Sequence, residues 1–211
     1  MPNKSTIWSA LLLTLLVCFL IAKNFINCIP QDYPYYIVTD YAVRFAIIAP
    51  CLALVWLGFC TLSSANIQLP KLTLLLRSIF IYGLASISFT AIDRIIYTSL
   101  YPNVVFSKIY AAYPLMRNID LTFGLLLVSI SEELCFRGIL LCTLRKVTDK
   151  MVTICIISSI LFSVWHFSRG PHTMIISLAF GVIYFSSNLQ SKSLIPSITL
   201  HSLTNLYYWN L

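Results

Sequence analysis

Apolar stretches of near-spanning length recur along the whole chain, at about 7–23, 41–62, 72–92, 119–144, 151–168, 171–189 and 194–211. Each reaches or approaches the ~20 residues that cover a bilayer's hydrocarbon core as a helix. In lipid a segment must satisfy its own backbone polar groups, which restricts such runs to helices. The expectation is an all-α, polytopic transmembrane bundle of seven spans, give or take one, with residues 1–211 forming a single integral membrane domain. The run from Ile7 to Ala22 follows Lys4 and lacks a small-x-small cleavage site, so it reads as a retained first helix rather than a signal peptide.

Composition supports this reading. The chain is 59% hydrophobic and 10% charged, with a mean hydropathy of +0.86. A soluble domain would carry roughly twice that charged fraction. The formal charge of +7 would suggest nucleic acid in a soluble protein. Here the basic residues fall mostly in short joints between apolar runs, where they meet lipid headgroups. The expected partner on this evidence is therefore the lipid bilayer, with no nucleic acid. Basic residues divide almost evenly between the two faces. The cluster "RKVTDK" at 145–150 places the N-terminus inside, with Asp40, Arg44 and Asp93 on the outer side. Residues 24–40, with "CIPQDYPYY", read as an interfacial loop, and the Tyr-rich 93–118 as an amphipathic segment at headgroup level. The seven cysteines (18, 28, 51, 60, 135, 142 and 155) form no CxxC pair and read as buried free thiols.

The carboxylates are the anomaly. Glu132 and Glu133 are the chain's only glutamates, and both fall inside "SISEELCFRGIL", in the middle of an apolar run. A charge at the bilayer centre costs about 2.5–3.5 kcal/mol on insertion scales, so such residues face the bundle interior and mark a site. Glu133 and Arg137 are four apart and can pair on one helix face. Glu132 points ~100° away and is left for another partner. His166 in "FSVWHF", and His201 with Asn205 in "HSLTN", also fall in expected spans. Counted from the 145–150 joint and from Leu194, Glu132 and His166 lie ~20 and ~22 Å deep, and His201 and Asn205 ~10 and ~16 Å deep. These polar side chains thus share a layer. His172, beside Pro171, reads as interfacial, and the aromatics of "LFSVWHF" as packing and lipid-facing bulk.

In this order "EELCFRG", "FSVWH" and "HSLTN" match the EExxxR, FxxxH and HxxxN motifs of the CAAX-protease and bacteriocin-processing family, also called the abortive-infection or type II CAAX prenyl endopeptidase family. The resemblance covers residues 119–206. It implies a glutamate-dependent intramembrane endopeptidase acting on a membrane-associated, lipidated or leader-peptide substrate, in a multi-pass protein of a bacterial cell membrane. It further implies that Glu132 and His166 activate water, that His201 and Asn205 hold the oxyanion, and that Glu133 and Arg137 form a structural ion pair. No cofactor is expected. Glu132, His166 and His201 could make a two-histidine, one-carboxylate zinc site, but HExxH is absent and Asn205 is a poor ligand, so the reading favours a metal-free reaction. The alternative is a catalytically silent relative that binds a membrane partner or confers bacteriocin self-immunity. A proton-coupled transporter is the weakest reading, because the run holding Glu132 carries only Gly124 and Gly138 and no internal proline to break it.

Overall fold

A computed structural model describes residues 33–100 and 114–209, all in helices and their connections, with no strand among them. α1 (Tyr33–Trp56) begins within the expected interfacial loop, because Pro34 is tolerated in a first helical turn. α2 (Leu72–Leu100) follows a folded loop. The next helical run, α3, covers residues 114–144 without a break and contains two π-helical segments, Asp120–Gly124 and Leu134–Ile139. Three helices complete the described chain: α4 (Met151–Val164), α5 (Pro171–Ser191) and α6 (Leu194–Trp209). The expected first span at 7–23 lies outside the described residues, as does most of the Tyr-rich connection, whose first residues continue α2.

Three helices are long and apolar enough to cross a membrane: Pro34–Trp56, Leu72–Tyr97 and Pro171–Ser191. The seven expected spans are therefore not reached among the described residues. The α3 run is divided by its π turns and carries charge at its centre, while α4 and α6 are short. α4 stops at Val164, four residues before the expected limit, and gives way to a 3-10 turn at Phe167–Arg169.

The outer surface is greasy and the inner contacts are small and polar. On α4, Val152, Ile156, Ile160 and Val164 form an exposed stripe at four-residue spacing, while Ser158, Ser159 and Ser163 face inward and are buried. Apolar residues outward and small residues at helix interfaces are the pattern of packing in hydrocarbon. α4 and α5 approach closely at Gly181, where an added Cβ would lie 3.0 Å from both Cα and Cβ of Ser159. Residues 131–142 of α3 are buried on every side, which makes this half of α3 the central post. α1, α4, α5 and α6 surround it, and the charged motif therefore never meets lipid.

The loop after α1 folds back over the end of α3. Cys60 is disulfide-bonded to Cys142, and Lys146 donates to the Phe59 carbonyl at 2.6 Å. The expectation of free thiols throughout is corrected here: Cys51, Cys135 and Cys155 are free, but Cys60 and Cys142 are brought together by the returning loop.

Candidate active site

Every charged residue of the EExxxR motif is buried, and each acquires a specific partner. Arg137 donates to Oε1 of Glu133 at 3.1 Å and to the Gly181 carbonyl at 3.2 Å. Its guanidinium also lies over the Phe162 ring, 4.2 Å from the centroid. The i,i+4 pair expected from spacing is thus present, but it is not isolated on its own helix. Oε1 of Glu133 also sits 3.0 Å from Nδ1 of His201, so the pair reaches across to α6.

Glu132 turns the other way. Its Oε1 accepts from Arg44 of α1 at 2.5 Å and from the Trp165 indole at 2.9 Å. Its Oε2 accepts no hydrogen bond among the described residues and lies 3.7 Å from Nε2 of His201. The two glutamates therefore straddle one imidazole, Glu133 at Nδ1 and Glu132 on the Nε2 side. The ring is further held by stacking on Tyr184, with centroids 4.9 Å apart.

His166 falls just outside α4, at φ −95° and ψ 12°, the sparsely populated bridge region in which many active-site residues sit. The expectation of a histidine inside a span is corrected accordingly. Its Nδ1 is 2.9 Å from the Phe162 carbonyl. A carbonyl only accepts, so Nδ1 carries the proton and the neutral ring keeps its lone pair on Nε2. His166 is also close enough to Glu132 and to His201 for electrostatic interaction. Phe162 joins the two histidines through its ring, with centroids 4.9 Å from His166 and 5.7 Å from His201. The FxxxH spacing thus works twice: the phenylalanine's carbonyl fixes a tautomer and its ring spaces the imidazoles.

Asn205 lies one turn beyond His201 on α6, half-buried and without a hydrogen-bond partner among the described residues. His172, read as interfacial, heads α5 and pairs with the buried Asp93 of α2 at 2.8 Å, and Asp93 also accepts from Tyr208 at 2.5 Å. This second cluster ties α2, α5 and α6 together. Among the described residues no group of three or more His, Cys, Asp or Glu side chains is arranged to hold a metal ion.

Three site residues escaped the sequence reading. Arg44 and Asp40 are 2% and 8% exposed and pair with each other at 3.3 Å inside the bundle. Their i,i+4 spacing was a usable signal, the same one that marked Glu133 and Arg137. Sequence reads Trp165 only as packing bulk, yet its indole N–H donates to Glu132. A tryptophan buried beside a carboxylate usually donates, but no spacing rule in the sequence pairs the two.

Residues 114–207 match the family model described as type II CAAX prenyl endopeptidase Rce1-like. That segment is similar to the family. The match spans a little under half of the chain, begins at the start of α3 and contains every motif residue named above, but it leaves out α1 and with it Arg44. The Rce1-like family is one of membrane-embedded proteases, and the likeness supports a peptidase at a coarse level. No curated protein and no solved structure matched the chain.

Proposed function

We propose that this protein is an intramembrane endopeptidase in which Glu132 is the base that activates water against a peptide bond of a membrane-associated, lipidated or leader-peptide substrate. The observation that carries the reading is the asymmetry of the Glu132 carboxylate. Oε1 is saturated by two donors, and Oε2 is buried, unbonded and turned toward His201. A carboxylate held in this way offers one lone pair to a water molecule in a site shielded from solvent.

The water attacks the carbonyl carbon as its proton passes to the Glu132 side of the site, and the same proton is later delivered to the leaving nitrogen. His166, with its lone pair on Nε2, is suited to share that proton. The carbonyl oxygen becomes an oxyanion and needs donors. Asn205 offers an amide N–H. His201, whose Nδ1 faces Glu133, offers Nε2–H when the ring carries both protons. Donors of this kind contribute about 2.7–4 kcal/mol each to transition-state stabilisation. The reaction so written needs no metal, and insensitivity to chelators is the corresponding expectation.

The test is cleavage by purified full-length protein in detergent, using a peptide library that includes prenylated C-terminal peptides. The Glu132→Ala variant is expected to lose all cleavage while still folding, with a melting temperature lowered by the loss of Arg44's buried partner. Cleavage by that variant at the wild-type rate would sink the reading. A second reading has one observation in its favour: an ion-paired carboxylate is a weaker base, and Arg44 pairs with Glu132. In that reading the chain is a silent relative that binds a membrane partner or confers bacteriocin self-immunity. Such a protein would retain its cellular phenotype after Glu132→Ala.

A further inference from the structure

We propose that Arg44 is the positioning residue of this site, so that the Rce1-like segment is incomplete without α1. This rests on the reading of Glu132 as the base. Four observations converge on it. Arg44 is 2% exposed, and its Nη1 lies 2.5 Å from Oε1 of Glu132, 88 residues away in the chain. The guanidinium is braced from its own helix by Asp40 at 3.3 Å, and Nη1 lies 3.4 Å from Ser131 Oγ on α3. It sits over the Trp165 ring, 5.8 Å from the centroid, beside the second donor to the same oxygen. The other oxygen of Glu132 is left without a donor.

A free glutamate in a cavity can rotate its carboxyl and present either oxygen. Two donors on one oxygen prevent that, and they leave Oε2 facing His201. Arginine suits this task because its planar fork can bind a carboxylate with one nitrogen while another is held from behind, whereas lysine supplies only a point charge. Asp40 completes the arrangement. Asp40, Arg44 and Glu132 together carry a formal sum of one negative charge, so the clamp is compensated and the site keeps an anionic carboxylate. The role is therefore geometric, exerted through Glu132, with no contact to the reacting atoms required.

The experiment compares wild type with Arg44→Gln, Arg44→Lys and Glu132→Gln as full-length proteins in detergent. The probe is a quenched fluorescent peptide cleaved by wild type, taken from a library that includes prenylated peptides, and folding is followed by thermal melting. Misplacement of a reacting group by an ångström costs about a hundredfold in rate. Arg44→Gln is accordingly expected to lower kcat by about that factor, with KM within about twofold, and Arg44→Lys to recover part of the loss. A merely structural arginine would lower the yield or the melting temperature and leave kcat per folded molecule unchanged, which overturns the proposal. Should Arg44→Gln fail to fold, Arg44→Lys decides: a reduced kcat at constant KM supports the proposal and a wild-type kcat overturns it. Full activity in Glu132→Gln, or a wild type that cleaves nothing, removes the underlying reading and this proposal with it. An inactive Glu132→Gln beside a fully active Arg44→Gln removes this proposal alone.

Discussion

Nδ1 of His201 and Nη1 of Arg137 converge on the same atom, Oε1 of Glu133, at 3.0 and 3.1 Å. The ion pair on α3 is therefore also the hook that holds a candidate catalytic ring on α6. Glu133 thus serves two functions at once, fixing Arg137 inside the bundle and holding a proton on Nδ1 of His201.

Removing one partner of a fully buried pair leaves an uncompensated charge, at a cost of about 3–5 kcal/mol. Arg137→Met is expected to destabilise the protein by that amount, since it also strips the Gly181 carbonyl and the Phe162 ring of their contact. Adding Glu133→Gln should recover part of the loss, because the orphaned charge is then gone. Thermal melting of the two single variants and the double in one detergent checks this. Strictly additive losses would show that the pair is not coupled.

Much of this was legible in the sequence, and the reason is physical. A charged side chain in an apolar run must find a partner inside the bundle, so Glu133 with Arg137 could be paired from spacing alone. Glu132, His201 and Asn205 could be assigned to one layer by counting residues along antiparallel helices. Arg44 and Asp40 carry the same i,i+4 signature, but they fall at the start of an apolar run, where charge ordinarily meets headgroups, and hydropathy reads them as interfacial. That α1 begins at Tyr33, which carries both residues into the interior, depends on packing against α3 and leaves no mark in hydropathy. The Cys60–Cys142 bond was hidden for a related reason. The two residues are separated by 82 positions and meet only because the loop after α1 returns over α3. The apolar run "FSVWHF" puts His166 inside a span, whereas α4 ends at Val164 and the histidine occupies the turn beyond it.

The contact between α4 and α5 rests on the absence of one side chain. A Cβ at residue 181 would stand 3.0 Å from Cα and Cβ of Ser159, and the Ser159 backbone cannot move aside without moving α4. The same residue's carbonyl accepts from Arg137, so separating the helices also loosens the central post. Gly181→Val is expected to cost about 1–3 kcal/mol by overpacking, and Gly181→Ala less. Both are read as shifts in melting temperature. A Gly181→Val protein as stable as wild type would mean that the two helices are not in this close contact.

Asn205 offers the cleanest separation of chemistry from stability. It is half-buried, with no hydrogen-bond partner among the described residues, so truncating it breaks no contact that holds the bundle together. If it supplies an oxyanion donor, its amide matters only when charge develops on the substrate oxygen, and the loss belongs in kcat rather than KM. Asn205→Ala is expected to lower kcat about 10²–10³-fold, the usual effect of deleting one such donor. Asn205→Asp, of nearly the same shape, should be no better, because an anionic acceptor replaces the N–H. His172→Ala is the matched control. It removes the 2.8 Å pair with Asp93, and so should lower the melting temperature while sparing kcat per folded molecule. An Asn205→Ala protein that turns over within about threefold of wild type would leave the oxyanion to His201 alone.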